Sequence, residues 1–363
     1  MVIQQTVVEV NLKNLKNNLN FLKSKLNPNT LIMGVVKAFS YGADSLIIAK
    51  ELEKQKIDYL AVAYTSEGLM LREKGIMSPI LVLHPQINDF NTIIEFKLEP
   101  SIYSFRVLEA FISGSKFNKN YPFQIKFNTG LNRLGFHENE IDNLIDRLNG
   151  LKPTYIFSHL GASDDENEKD FSNDQIKKFS SLVENFQNKI GSKIKKHLLN
   201  TSGILNFSES QYEMVRTGIG LYGFGNDPKY KNDLRPVISL KTVISQIHKI
   251  SKGSSVGYNK GFMADDNITI ATLPIGHADG ISRQYGNGNA NVMINGKLAP
   301  IIGNVCMDMV MINVSKIICK EGDLVIIFDD KNLSADDFAK SIGTIPYEIL
   351  ASLSKRIKRV VIA

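Results

Sequence analysis

Short apolar runs alternate with amphipathic runs over the first 220 residues, and this alternation constrains the fold more than any other feature of the chain. Helical periodicity separates most of the runs, at 43–55, 65–74, 88–96, 105–113, 138–148 and 172–189. The eight runs with the length of a β-strand are LIMGVV (31–36), YLAVA (59–63), ILVL (80–83), EPSIY (99–103), FQIKF (123–127), TYIFS (154–158), KHLLN (196–200) and YEMVR (212–216). Eight strands alternating with helices over about 200 residues predict an α/β fold, a (β/α)8 barrel of the TIM type. A doubly wound open sheet is the alternative, but the strand count and the missing early G-x-G-x-x-G loop favour the barrel.

The pattern changes near Pro236. Strand-like stretches separated by glycine, asparagine and aspartate follow as far as Phe328, and they predict a mostly β domain. The stretches are VISLKTVISQIHKI, ITIATLPIG, ANVMING, APIIG, DMVMINV and DLVIIF, followed by a helical stretch at 334–341 and by IPYEILASLSKRIKR at 345–359. We therefore place the barrel in residues 10–232 and the C-terminal β domain in residues 233–363. Residues 1–9 precede the first barrel strand, so we expect them to pair with the β domain.

The composition excludes several classes of protein. A chain of 363 residues can bury a large core without disulfides or a structural metal, and its two cysteines fit a reduced compartment. The net charge of +6 is mild and spread along the chain, so we expect no nucleic-acid partner. No apolar run approaches the ~20 residues that a membrane helix needs. The N-terminus turns polar after ten residues, unlike a signal peptide. We expect a cytoplasmic protein with no membrane partner and no bound metal.

In a barrel of this type the active site lies at the carboxyl ends of the strands, so polar residues there are the candidates for chemistry. They are Lys37, Lys126, Arg133, His159, Asn200, Thr201 and Arg216, followed by Gly218 and Gly220. Each alone has an ordinary explanation as a solvated lysine, a structural histidine or a turn glycine. Together they place a lysine, a ring-stacking histidine, an arginine and a glycine loop on one face. Those are the parts of a pyridoxal 5′-phosphate site.

At these residues the sequence resembles the alanine racemase family of pyridoxal-phosphate barrel enzymes, through motifs spread over about residues 31–359. VVKAFSYGAD (35–44) is similar to the family's lysine motif. It implies Lys37 as the Schiff-base lysine and Tyr41 as a phosphate ligand. KFNTGLNRLGF (126–136) resembles the segment that holds a carbamylated lysine and an arginine. The resemblance implies Lys126 and Arg133 in these roles, with Arg133 by the phenolic oxygen of the cofactor and the substrate carboxylate.

Two further barrel segments extend the resemblance. FSHLG (157–161) implies that His159 stacks on the pyridine ring of the cofactor. HLLNTSG (197–203) implies Thr201 as a phosphate-binding hydroxyl and His197 as a partner that supports Arg216.

VRTGIGLYG (215–223) is the most specific match. It implies Arg216 at the pyridine nitrogen, with backbone N–H groups of Gly218 and Ile219 at the phosphate. An arginine stays protonated, so it donates to the pyridine nitrogen without protonating it. The weaker electron sink that results discourages side reactions such as transamination, which favours a racemase over a decarboxylase.

The β domain carries the rest of the resemblance. SVGYN (255–259) places Tyr258 where the family has its second catalytic base, and IPYEIL (345–350) places Tyr347 at the phosphate. In VCMDM (305–309), Met307 would give a backbone N–H to the substrate carboxylate, with Cys306 and Asp308 as supporting residues. In the family, the tyrosine and the CMD segment reach into the partner's site. The resemblance therefore implies a homodimer with shared active sites.

The sequence departs from the family at a few positions. Phe39-Ser40 replace small or amide residues after the lysine, and GHADG places His277 where GYADG is common. Asn304 stands where many members have arginine, and Asn128 where an aspartate is common. These changes leave Lys37 and Tyr258 in place. They bear on the rate, the charge at the entrance and the strictness of the preference for alanine.

The resemblance implies an isomerase that interconverts L- and D-alanine and supplies D-alanine for peptidoglycan of the cell wall. Inversion of the α-carbon needs a proton donor on each face, and the hypothesis assigns Lys37 to one face and Tyr258 to the other. A racemase of serine or of broader specificity is an alternative on the same fold. A non-catalytic pyridoxal-phosphate carrier, a decarboxylase of basic amino acids and a binding module for acidic surfaces are alternatives of other kinds. The β domain argues against the carrier, and Arg216 argues against the decarboxylase. The lack of an aromatic-basic cluster argues against the binding module.

Overall fold

The computed structural model describes residues 5–114, 116–225, 228–230 and 232–362. The first strand, β1 (Val7–Asn11), lies outside the barrel, which is closed by eight parallel strands in chain order. These are β2 (Leu31–Val35), β3 (Tyr59–Val62), β4 (Ile80–Val82), β5 (Glu99–Ile102), β6 (Gln124–Lys126), β7 (Tyr155–Phe157), β8 (Lys195–His197) and β9 (Met214–Thr217). Each strand overlaps one of the eight apolar runs, and β9 pairs with β2 to close the barrel. The predicted (β/α)8 barrel is confirmed and the open sheet is excluded.

Helices cover the outside of the barrel, with bounds Leu12–Lys23, Ser45–Lys54, Thr65–Glu73, Phe90–Glu95, Phe105–Ile112, Ile141–Leu148, Lys169–Ile190 and Thr201–Asn206. Side-chain caps fix several starts. Asp44 accepts hydrogen bonds from the backbone N–H groups of Leu46 and Ile47, the second and third residues of the second helix. Six of these helices coincide with the predicted helical stretches. The short helix Thr201–Asn206 was not predicted, since six residues are too few to show a helical period.

A left-handed turn, Lys37–Tyr41, follows β2 directly. Ala38, Phe39 and Ser40 have φ of 53°, 54° and 53°, and Tyr41 has φ of 52°. Non-glycine residues lose about 1–2 kcal/mol each in this conformation. The surrounding structure must therefore hold the turn in place, and the sequence gives no sign of it.

The C-terminal domain is mostly β, as predicted. Its strands are β10 (Ile238–Val243), β11 (Gln246–Ile250), β12 (Ser255–Val256), β13 (Phe262–Met263), β14 (Ile268–Leu273), β15 (Asn291–Ile294), β16 (Lys297–Ile302), β17 (Val310–Asn313), β18 (Leu324–Phe328) and β19 (Lys358–Ile362). Nine strands form one sheet in the order β11-β14-β17-β16-β15-β18-β10-β1-β19, and β12 and β13 form a separate pair. Two helices, Ala335–Lys340 and Pro346–Ser352, complete the domain.

Two details of this domain differ from what the pattern predicts. The run VISLKTVISQIHKI divides into β10 and β11, which lie apart in the sheet because β11 pairs only with β14 at one edge. The last segment is a helix followed by strand β19, which pairs parallel with β1. Strand β1 also pairs antiparallel with β10. Residues 1–4 of the predicted N-terminal pairing lie outside the described residues.

The apolar core is continuous through the barrel and the β domain. It runs from Val8 in β1, through barrel strands such as Leu60–Val62, to Leu350 in the last helix. The two parts therefore pack as one body around the carboxyl ends of the barrel strands. In the described part of the chain, no helix combines the length and apolarity needed to cross a membrane.

Candidate active site

Arg216 is the most constrained side chain at the carboxyl end of the barrel. It lies near the end of β9 and is 4% exposed. Its Nη2 donates to the carbonyl oxygens of Ser158 (2.7 Å) and Leu198 (2.9 Å) and to Nδ1 of His159 (3.0 Å). Its Nη1 donates to Nδ1 of His197 at 2.5 Å. Burial lowers the pKa of Arg216 to about 9, so the guanidinium keeps its charge at neutral pH.

The two histidines beside Arg216 are neutral. Burial first, and then the charge of Arg216, hold the pKa values of His159 and His197 well below the ordinary value. Each ring accepts from Arg216 at Nδ1, which places its proton on Nε2. The Nε2 of His197 lies 2.7 Å from Oε1 of Gln124, so this ring is fixed from both sides. His197 also stacks on Phe157, with ring centroids 4.8 Å apart.

Lys37, Lys126, Arg133 and Arg216 form a cluster of positive charge. Burial lowers the pKa of Lys37, and Arg133 lowers it further. Burial and then Arg133, Arg216 and Lys37 lower the pKa of Lys126 to about 7. Both amines are therefore easier to deprotonate than ordinary lysines. A cationic cluster of this kind favours a ligand with negative charge.

The loop that carries Arg133 is held by an asparagine. Asn128 Oδ1 accepts from the backbone N–H groups of Gly130 (3.2 Å) and Asn132 (3.0 Å), and its Nδ2 donates to Asn132 Oδ1 (2.9 Å). Asn128 is one of the departures from the family pattern. In this chain the residue shapes the loop just ahead of Arg133.

Tyr41, Thr201 and the loop after β9 pack closely against each other. Thr201 Oγ1 accepts from the backbone N–H groups of Gly218 (3.3 Å) and Gly220 (3.2 Å). A Cβ atom added to Gly218 would lie 2.3 Å from the Oη of Tyr41, and one added to Gly220 would lie 2.6 Å from Thr201 Cγ2. Only glycine permits this close approach at these two positions. Backbone N–H groups, a hydroxyl and a buried phenol are suitable ligands for a phosphate.

Two more tyrosines line this corner. The ring of Tyr41 lies 4.6 Å from that of Tyr222 and 6.0 Å from that of Tyr347, measured between centroids. Burial raises the pKa values of Tyr41 and Tyr222 well above the ordinary range, so both phenols stay protonated and able to donate. Tyr347 enters from the helix Pro346–Ser352, which brings the β domain to the edge of the barrel site.

The other predicted residues of the β domain do not join this cluster in the single chain. Tyr258 is 70% exposed and Met307 is 60% exposed. The backbone oxygen of Tyr258 accepts from Asn304, and that of Met307 accepts from Ala278, both within the β domain. Both side chains are therefore accessible on the surface of the β domain.

Cys306 and Asp308 lie in the same segment as Met307. The Sγ of Cys306 is 3.6 Å from the backbone oxygen of Asn304. Asp308 pairs with Arg356 at 2.7 Å, and the same guanidinium binds both carboxylate oxygens of Asp279 at 2.7 and 2.8 Å. Arg356 thus fixes the position of the segment that contains Met307 and Asp308.

Sequence reasoning missed three residues that shape the site. Gln124 orients His197, and Arg356 holds Asp308. Glu67 accepts a hydrogen bond from the backbone that follows Lys37. The sequence held a signal for Gln124, a glutamine inside the apolar run FQIKF. It held one for Arg356 as well, because arginine is scarce, with nine residues in all. Glu67 gave none, since a glutamate in the first turn of a helix is ordinary.

Barrels that present a lysine, a phosphate loop and a buried basic group at their strand ends form a known class, the pyridoxal-phosphate-dependent barrel enzymes. The comparisons with known proteins narrow this class. Residues 10–226 match the family described as alanine racemase, N-terminal domain, and residues 237–361 match alanine racemase, C-terminal domain. The chain belongs to the alanine racemase family, whose members are pyridoxal-phosphate-dependent isomerases.

Individual relatives agree with this assignment. Alanine racemase 2 of Caldanaerobacter subterraneus subsp. tengcongensis is 35% identical, with 99% of this chain and 95% of the relative covered. The solved alanine racemase of Clostridium difficile is 33% identical with a TM-score of 0.92, over 100% of this chain and 97% of that one. The alanine racemase of Bartonella henselae, solved with covalently bound pyridoxal phosphate, is 28% identical with a TM-score of 0.90, over 99% and 100% of the two chains.

The residues of this chain fit that cofactor. Tyr41 can bring its hydroxyl close to the backbone N–H groups of the loop after β9 because position 218 has no Cβ atom. The cationic cluster can balance the charges of a phosphate and a carboxylate. Lys37, with its lowered pKa, lies at the carboxyl end of β2 as a nucleophile needs.

Proposed function

We propose that this protein racemises alanine, interconverting its L and D enantiomers with pyridoxal 5′-phosphate as cofactor. The observation that carries the proposal is the cluster of Lys37, Lys126, Arg133 and Arg216 at one end of a barrel that matches the family along its length. The whole-length match includes the β domain, which supplies Tyr258.

The residues that would hold the cofactor come from four barrel units and the β domain. Lys37 would bind it covalently, His159 would lie against its ring and Arg216 would donate to its pyridine nitrogen. Its phosphate would bind at Tyr41, Thr201, Tyr347 and the backbone N–H groups of Gly218 and Ile219. The N–H of Gly220, which also donates to Thr201, is a further candidate for this phosphate site.

The bound cofactor supplies a conjugated ring that delocalises the electron pair left when the α-proton departs. The residues of this chain do the rest. Lys37 needs a neutral amine to attack the cofactor, and its lowered pKa increases the neutral fraction. Arg216 keeps a positive charge at the ring nitrogen without offering a proton that it can lose at neutral pH. That arrangement limits electron withdrawal and favours return of the proton to the α-carbon.

Inversion requires a second proton donor on the opposite face of the substrate. We assign this role to Tyr258 of the partner subunit, with Met307 of the partner subunit donating its backbone N–H to the substrate carboxylate. The exposure of both side chains in the single chain supports this assignment. Met309, two residues from Met307, is also exposed and apolar, which supports a homodimer with shared sites.

Arg133 would bind the substrate carboxylate from the barrel side, supported by Lys126. Asn128 orders the loop ahead of Arg133, and Arg356 orders Asp308, the residue after Met307.

We place this activity in the cytoplasm, where it would supply D-alanine for peptidoglycan. In this proposal the barrel over 10–232 provides most of the cofactor site, and residues 233–363 provide Tyr347 and the second base.

A racemisation assay on the purified yellow protein tests the proposal. Each L- and D-amino acid of a panel that includes alanine and serine is incubated with the enzyme, and the enantiomers are separated by chiral chromatography. We expect alanine to have the highest kcat/KM in both directions. Turnover of serine or another amino acid with none of alanine would contradict the substrate assignment.

A further inference from the structure

Glu67 lies 29 residues after Ala38 in the chain, yet its carboxylate contacts the backbone that follows Lys37. It is the third residue of the helix Thr65–Glu73. Its Oε1 accepts from the N–H of Ala38 at 2.7 Å, and its Oε2 accepts from the N–H of Ala63 at 2.7 Å. One carboxylate therefore connects the ends of two adjacent barrel strands, β2 and β3.

An ordinary helix-capping role explains the bond from Glu67 to Ala63 but not the bond to Ala38. A glutamate in the first turn commonly accepts from N–H groups just before its own helix. The bond to Ala63 and a longer bond to Tyr64 (3.4 Å) are of this kind. The bond to Ala38 is not, because Ala38 belongs to a different barrel unit and opens the left-handed turn.

That turn needs a restraint at its start. Ala38 has φ of 53° and ψ of 53°, which an alanine adopts only at a cost. The other end is held by Arg359, whose Nε donates to the carbonyl of Gly42 at 2.9 Å and whose guanidinium lies 5.1 Å from the ring of Phe39. Glu67 holds the near end, one residue from Lys37.

Charge gives Glu67 a second effect on Lys37. Besides burial, Arg133 and Glu67 are the groups that shift the pKa of Lys37. Lys37 in turn lowers the pKa values of Lys126 and His159. Arg133 lowers the pKa of Lys37, whereas Glu67 raises it. His159 is neutral because burial and nearby cations hold its pKa low. Glu67 is thus the anion that offsets part of the cationic cluster at this lysine.

We propose that Glu67 is a positioning residue for Lys37: it fixes the backbone that carries the lysine and supplies the negative charge that faces its amine. The inference rests on the proposed function only in that Lys37 must be the residue that binds the cofactor. It deepens that function by naming the group that balances the reactivity of Lys37.

Substitution E67Q tests both parts. A glutamine side chain has one acceptor oxygen, so the N–H of Ala38 or of Ala63 loses its partner, and the negative charge is removed. The matched control is E53Q. Glu53 Oε1 also accepts from two backbone N–H groups between barrel units, Met77 (2.7 Å) and Ser78 (2.6 Å), but Glu53 is not among the groups that shift Lys37.

The measurement is the pH dependence of acetylation of Lys37 by acetic anhydride in the full chain stripped of cofactor, followed by peptide mass spectrometry. We expect the midpoint in E67Q to fall by about 0.5–1 pH unit, in line with the loss of a nearby opposite charge. E53Q should keep the midpoint of the unmutated chain, and E67D, which keeps the charge, should lie between. An E67Q midpoint equal to that of E53Q would overturn the proposal.

A second measurement needs no variant. Ala38 is exposed, so its amide should exchange with solvent rapidly unless Glu67 holds it. We expect slow hydrogen exchange at Ala38 in the unmutated full chain, and rapid exchange would overturn the backbone role. A protein that shows the midpoint shift but does not racemise alanine refutes the proposed function alone. An active racemase with an unshifted midpoint refutes the role of Glu67 alone.

Discussion

Gly218 is the residue on which the proposed phosphate site depends most directly. In G218A the new Cβ would lie 2.3 Å from Tyr41 Oη. We expect the free energy of unfolding to fall by about 1–3 kcal/mol, the usual cost of overpacking. Cofactor affinity, measured from the visible absorbance, should fall at least tenfold because the new methyl group displaces Tyr41 from the proposed phosphate site.

A double-mutant cycle identifies the cause of this loss. Y41F removes the oxygen that the new methyl group would meet, so G218A should cost less stability in the Y41F background. G114A is the control, since its Cβ would meet nothing closer than 3.4 Å. Equal costs of G218A in the two backgrounds would show that contact with the Tyr41 hydroxyl does not cause the loss of stability.

Lys126 should make stability depend on pH. Its pKa is lowered to about 7, whereas in the unfolded chain it has the ordinary value of 10.5. Between these values the unfolded chain binds more protons, so the contribution of Lys126 to stability rises with pH. Below pH 7 the lysine is charged in both states and destabilises the fold.

Substitution K126M removes the free-energy cost of burying an ionisable amine. It should therefore raise the free energy of unfolding of the cofactor-free chain at pH 7.5, and raise it less at pH 9.5. Urea unfolding in buffer free of carbon dioxide, which keeps Lys126 an amine, measures the difference. K50M, at an exposed helical lysine, should give no such trend. An advantage of K126M that stays constant across this range would disprove the pKa assignment.

At the scale of elements, the left-handed turn and the helix Pro346–Ser352 depend on each other. Gly42 ends the turn with φ of 80°, and a Cβ there would lie 2.1 Å from the backbone oxygen of Leu350. G42A should push the helix away and displace Tyr347 from Tyr41. Thermal unfolding and cofactor titration should show a loss of both stability and affinity.

The control for G42A is G75A, which has backbone strain but no collision. Gly75 has φ of 86° and open space around its Cβ position. We expect G42A to cost about 1–3 kcal/mol more than G75A. Equal losses for the two variants would mean that the helix does not depend on Gly42.

The elements differ in how well the sequence predicts them. Barrel strands are buried on both faces, so their continuous apolar runs stand out, and all eight were found. Short elements such as Lys37–Tyr41 and Thr201–Asn206 have no period. Distant segments hold them, through Arg359 and Glu67 at the first and Ser163 at the second. In the site, the family resemblance named the residues expected to touch the ligand. The residues that orient them, Gln124 and Arg356 among them, became visible only in three dimensions.

At the scale of the whole molecule, the two proposed proton donors lie on different parts of the chain. Lys37 lies at the barrel end beside Arg133, whereas Tyr258 lies exposed on the β domain. If one proton donor comes from each subunit, a K37A chain and a Y258F chain are each inactive alone but complement each other. A mixed dimer contains one complete site, formed by Lys37 of one chain and Tyr258 of the other.

Complementation of these two variants tests the central claim most directly. The variants are unfolded together, refolded with pyridoxal phosphate and assayed for alanine racemisation, beside the unmutated chain taken through the same steps. Random pairing gives half mixed dimers with one working site each, so we predict about a quarter of the unmutated activity. If the mixture stays as inactive as either variant while the unmutated chain recovers, the two residues do not share a site and the account is wrong.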